Sequence, residues 1–91
     1  MTERRVILFS GHVQGVGFRM TAIQLSADLP LAGTVRNLDD GDVELIAQGE
    51  PRQIDALVER LREQFARYIR TISQRSTLPA AATGPGIHVL H

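Results

Sequence analysis

Apolar residues run without a break through Val6, Ile7, Leu8 and Phe9. A run of that length, bounded by Gly11, predicts a strand over residues 4–10 near the middle of a sheet, with both faces largely covered. From residue 19 the period changes: Met20, Ile23 and Ala27, with Ala22 and Leu29 adjoining, predict a helix over 19–29. Pro30 stops it, because proline has no N–H to donate and restricts the residue before it. Val43, Leu45 and Ala47 then alternate with Asp42, Glu44 and Ile46, and Asp39-Asp40-Gly41 is a tight-turn signal. Residues 31–38 and 41–48 are therefore expected to form a β-hairpin. Pro51 suits a first helical position, and Ile54, Leu57, Val58 and Leu61 mark the apolar stripe of a second helix. Residues 68–77 set Tyr68, Ile69 and Ile72 among arginines and hydroxyl side chains, the pattern of a polar strand at a sheet edge. The Ala-, Pro- and Gly-rich stretch 78–86 predicts a loop, followed by a short closing strand over 87–90.

This order, βαββαβ plus a short C-terminal strand, predicts an α+β fold: a ferredoxin-like α/β sandwich with two helices on one face of a mainly antiparallel sheet. The chain has 91 residues, 43% of them hydrophobic, so one domain over 1–91 with one core is expected. Architecture of this kind fixes no function by itself.

Charge and composition narrow the chemistry. Ten basic and ten acidic residues cancel, so no global field favours nucleic acid or anionic membranes, and any anion binding must be local. Arg60, Arg62, Arg67, Arg70 and Arg75 do concentrate basic charge, but aromatics are few, and a solvated face is the better reading. There is no cysteine, which excludes disulfides and thiol chemistry. His12, His88 and His91 show no ligand spacing, so no metal site is expected. With no leader-like N-terminus and no apolar segment of membrane-spanning length, the expectation is a cytoplasmic protein, by default a monomer.

The most informative segment is Gly11-His12-Val13-Gln14-Gly15-Val16-Gly17-Phe18-Arg19, a glycine-rich loop between the first strand and the first helix that closes on an arginine. Glycines allow successive backbone N–H groups to turn toward one point. A helix start adds unpaired N–H groups and a positive dipole end, and a guanidinium supplies a planar fork that fits phosphate. The segment predicts a cradle for phosphate or carboxylate. It is not a mononucleotide P-loop, which needs Lys and Ser/Thr where Phe18 and Arg19 stand. Nor is it a dinucleotide fingerprint, which needs a third small residue at Met20.

Two separate segments resemble the acylphosphatase family. The run Gly11 to Arg19 is similar to its phosphate-binding loop, with Arg19 at the substrate-binding arginine. The run Gly33-Thr34-Val35-Arg36-Asn37-Leu38-Asp39-Asp40-Gly41-Asp42-Val43-Glu44, followed by Gly49, resembles its second signature, with Asn37 at the catalytic asparagine and Thr34 where the family usually has an aromatic. Similarity extends through Gly49-Glu50-Pro51 and the second helix to about residue 64 and then fades.

The resemblance implies hydrolysis of carboxylic–phosphoric mixed anhydrides, small-molecule acyl phosphates, to a carboxylate and inorganic phosphate without metal or cofactor. Backbone N–H groups of Val13, Gln14, Gly15, Val16, Gly17 and Phe18 and the guanidinium of Arg19 would bind the phosphoryl oxygens, and Asn37 would orient the attacking water. Alone, Arg19 would read as a solvated helix-start residue and Asn37 as a turn former; the two segments together favour the functional roles. The side chains of Val13 and Gln14 are expected to shape the loop, Phe18 to anchor it in the core, and His12 to take no catalytic part. Asp39, Asp40 and Asp42 are expected to be solvated turn carboxylates, since no closing glutamate completes a calcium-loop spacing. The alternatives from other classes are a noncatalytic phosphate- or carboxylate-binding module on the same cradle, and a ferredoxin-like interaction domain.

Overall fold

The computed structural model describes residues 1–81 and 84–91. Seven elements follow in the order β1 (Glu3–Gly11), α1 (Phe18–Ser26), β2 (Ala32–Asn37), β3 (Val43–Gly49), α2 (Pro51–Gln64), β4 (Ile69–Thr77) and β5 (Gly86–Val89). The strands form one sheet in the order β4-β1-β3-β2-β5. Every neighbouring pair is antiparallel except β2 with β5, which run parallel.

Side-chain alternation divides the sheet into two faces. Ile7, Phe9, Val35, Val43, Leu45, Ala47 and Ile87 are buried beneath the helices, where they meet Phe18 and Ala22 of α1 and Ile54, Leu57, Val58 and Leu61 of α2. The α2 stripe is the one expected from the sequence, at i, i+3, i+4 and i+7. Burial of this apolar set is the main source of stability, at roughly 1.5–3 kcal/mol for each large side chain. The opposite face carries Arg4, Val6 and Leu8 of β1 against Gln48, Ile46 and Glu44 of β3. The hairpin closes as expected: Leu38 N–H donates to Asp42 O at 2.8 Å, and Gly41 N–H to Leu38 O at 3.2 Å.

Three expectations change. The centre of the sheet is β3, and β1 lies second from one edge. Val6 is nonetheless buried on the helix-free face, where Ile46 and Arg75 flank it in register, so a continuous apolar run did not require a second helical layer. Helix α1 stops at Ser26 and does not reach 29. Its buried side is Phe18, Ala22 and Ser26, whereas Met20 is 61% exposed and Ala27 is exposed. The ring of Phe18 sets which face turns inward, and Ser26 is accommodated there by donating its hydroxyl to Ile23 O at 3.0 Å. Tyr68 belongs to the turn before β4, so the edge strand begins at Ile69.

The expected loop over 78–86 holds no helix or strand at 78–81 or 84–85, while Gly86 opens β5; residues 82 and 83 lie outside the described residues. Gln48 grips its first part: Nε2 donates to Ala80 O at 2.7 Å and Oε1 accepts from Ala80 N–H at 2.9 Å. This brings residue 80 over the helix-free face of β3.

Candidate active site

The loop between β1 and α1 is pinned at both ends. His12 N–H donates to Tyr68 O at 2.9 Å, Val13 is fully buried, Val16 packs partly against the core, and Phe18 is 2% exposed. Between these anchors Gly15 and Gly17 have φ of 78° and 79°, the left-handed region that a side chain would disfavour. Gly17 caps α1 with no side-chain hydrogen bond, and no acidic residue occupies the first turn. The first main-chain bond of α1 runs from Thr21 N–H to Gly17 O at 3.0 Å. The N–H groups of Phe18, Arg19 and Met20 precede it, so the loop offers free donors at the positive end of the helix dipole.

Asn37 reaches this point from another part of the chain. As the last residue of β2, two positions after buried Val35, it shares the helix-covered face of the sheet and lies under the start of α1. Its Oδ1 is buried with no hydrogen-bond partner among the described residues. An unpaired buried acceptor is costly unless a ligand or water satisfies it. Arg36, one residue earlier, faces the other way and pairs with Glu44 at 2.9 Å.

Val13, Gly15, Gly17, Phe18, Arg19, Met20 and Asn37 line one pocket of about 110 Å³. That is well below the roughly 300 Å³ of a drug-sized ligand site, a size for a small tetrahedral anion and not for a larger organic group as well. Arg19 is half-buried on its wall and pairs with no carboxylate among the described residues, unlike Arg5, Arg36 and Arg60. The guanidinium is thus available to an anion. A much larger hollow of about 720 Å³ lies at the opposite end of the sheet, between the end of α1 and β5, and none of the candidate residues borders it.

The structure brings together six of the eight residues expected at the site. The other two, Gln14 and Val16, do not line the pocket: Val16 packs toward the core and the Gln14 side chain turns to the hairpin. Met20, whose spacing predicts a place on the apolar face of the helix, instead stands on the pocket rim, and its place directly after Arg19 in the first helical turn is the signal for it. His12 is exposed and outside the pocket, and Asp40 accepts the N–H of Asp42 within the turn. No group of three His, Cys, Asp or Glu among the described residues could hold a metal ion.

The sequence and the fold that form this pocket have counterparts among known proteins. The acylphosphatase family model matches residues 5–82. An acylphosphatase from Chlorobaculum tepidum is 49% identical over 63 residues, covering 68% of each chain. One from Marinobacter nauticus is 45% identical over 74 residues, covering 81% of this chain and 80% of its own. The solved acylphosphatase structure from Coxiella burnetii superposes with a TM-score of 0.83 at 30% identity, over 98% of this chain and 93% of that one. On the family match, the identity and the shared fold, the chain belongs to the acylphosphatase family.

Proposed function

We propose that this acylphosphatase cleaves acyl phosphates by direct attack of a water oriented by Asn37 on a phosphoryl group held by the residue 13–18 backbone and Arg19. The observation that carries the proposal is the buried, unpartnered Oδ1 of Asn37 in the same small pocket as Arg19. Oδ1 accepts a hydrogen from the water while the side-chain NH₂ can donate to it or to a phosphoryl oxygen, which fixes the water in line with the scissile bond. The water oxygen bonds to phosphorus, the P–O bond to the acyl group breaks, and the carboxylate departs with the bonding electrons. Both hydrogens of the water leave with the phosphate, released as H₂PO₄⁻, so no proton acceptor on the protein is required. Because a carboxylate is a good leaving group, no strong base is needed. Catalysis rests on positioning and on the donors that meet the developing charge.

Hydrolysis of benzoyl phosphate in the presence of chelator, by the parent and by Asn37→Ala, tests this. A folded Asn37→Ala protein is expected to lose about 100- to 1,000-fold in kcat. Unchanged turnover would remove Asn37 from the mechanism, and a folded parent that binds phosphate without turnover would reduce the site to an anion-binding module. We further propose that residues 1–91 form one domain working as a cytoplasmic monomer, with no cofactor, nucleic acid or membrane partner. The balanced charge supports this, and no helix among the described residues is long and apolar enough to cross a membrane. Sedimentation at other than the monomer mass of 10.0 kDa would overturn the monomer.

A further inference from the structure

Gln14 sits in the middle of the phosphate loop, yet its side chain does not enter the pocket. Its Nε2 donates to Leu38 O at 2.8 Å and to Asp42 O at 3.0 Å, spanning from the loop to the hairpin. Those two carbonyls do not need it. Leu38 O already accepts from Gly41 N–H, and Asp42 O from Leu38 N–H, so the hairpin turn closes with main-chain bonds alone. The extra bonds therefore tie two separately folded segments together: the loop that carries the anion donors, and the strand end that carries Asn37 next to Leu38.

The geometry points to Gln14 as a positioning residue for the hydrolysis, a strap that sets Asn37 at its working distance from the phosphate cradle. This rests on the water-orienting role proposed for Asn37. Neither amide hydrogen of Gln14 touches substrate; the effect passes through the peptide that joins Asn37 to Leu38. A bonding group is required at the far end, since only an NH₂ can donate to two carbonyl oxygens at once from this side chain. Loss of the strap leaves both the cradle and the hairpin intact but unfastened from each other, and small misplacements of a reacting group are expensive in rate.

The test compares the parent, Gln14→Met, Asn37→Ala and the double variant on benzoyl phosphate, with inorganic phosphate as competitive inhibitor and folding checked by circular dichroism. Methionine keeps length and removes the donors. Gln14→Met is expected to lower kcat about 10- to 100-fold while phosphate inhibition changes by less than about threefold, since the loss lies in positioning and not in anion binding. In the Asn37→Ala background the same substitution is expected to change kcat by less than about twofold, because the group being positioned is gone. Parent-like kcat in Gln14→Met, an equal loss in both backgrounds, or phosphate affinity falling in step with kcat would each overturn the strap. All three outcomes leave the role of Asn37 standing. Parent-like activity in Asn37→Ala would remove that role and the strap together. Should Gln14→Met fail to fold, Gln14→Glu serves. Its carboxylate repels the two carbonyls near neutrality, and its protonated form can donate one bond, so activity is expected to recover as pH falls toward about 4–5, relative to the parent. A variant-to-parent ratio that stays flat with pH would refute the strap.

Discussion

The ring of Phe18 lies 4.6 Å from that of Phe65, inclined by 31°. On its other side Phe18 meets the ring of Phe9 at 4.9 Å and 54°. The first residue of α1 is thereby held against β1 and against the end of α2 at once, and Arg19, the next residue, inherits that fixed starting point. Phe18→Leu should cost roughly 1–2 kcal/mol through loss of the two aromatic pairs. Thermal melts would read that loss, and kcat should fall as well in the folded fraction, since the helix start would no longer be held at one position. A variant that loses stability but keeps full kcat would mean that Arg19 is placed by the glycine loop alone.

Arg19→Lys separates charge from shape. The ammonium keeps the positive charge but cannot offer two parallel donors to a phosphoryl group, and kcat/KM is expected to fall about 100-fold with weaker inhibition by inorganic phosphate. No salt bridge among the described residues ends on Arg19, so the melting temperature should hold. Steady-state kinetics beside a melt decides it; retention of parental kcat/KM would show that a point charge suffices.

Acid sensitivity should trace in part to Glu3. Its carboxyl accepts from Arg5 Nε at 2.8 Å and from Ser76 Oγ at 3.0 Å, and these bonds, Arg5 first, hold its pKa below the ordinary value of 4.5. Arg60 acts on Asp28 in the same direction. A folded-state pKa below the unfolded one means that the unfolded chain binds more protons, so the stabilisation is complete above about pH 5 and is lost as pH falls through the folded pKa. The melting temperature should drop on acidification from about pH 6 to pH 3, and Glu3→Gln should show a shallower drop. Parallel slopes for the two proteins would clear Glu3 of any part in it.

Substrate breadth follows from the size of the pocket. On the proposed mechanism the pocket of about 110 Å³ takes the phosphoryl end, which leaves the acyl group at the rim where Met20 is 61% exposed. Benzoyl and acetyl phosphate should differ by less than about tenfold in kcat/KM, and Met20→Ala should move KM for the aromatic substrate by no more than a few-fold, as contact with one apolar side chain allows. Discrimination of several hundredfold would require an acyl pocket away from Met20.

Much of this was present in the sequence because its causes are local. Alternation by two and by three to four residues, the Asp39-Asp40-Gly41 turn, Pro30 and Pro51 fix elements through backbone sterics and hydrogen bonds within a few residues. The glycine loop was legible for the same reason: a cradle of backbone N–H groups depends on positive φ at Gly15 and Gly17, which residue type alone can license. Arg19 and Asn37 were legible through their family signatures, while the pocket that joins them was not.

Tertiary structure decided the rest. That β3 holds the centre of the sheet, that β5 runs parallel to β2, and that α1 turns Phe18, Ala22 and Ser26 inward, leaving Met20 at the rim, depend on contacts between distant segments. Gln14 shows the limit most plainly. Its acceptor at Leu38 lies 24 residues away along the chain, and no local period or turn rule specifies which distant carbonyl a side-chain amide will find. Local backbone chemistry determined the parts of this protein and the glycine loop; burial of one shared core, which sums contacts over the whole chain, determined where those parts meet.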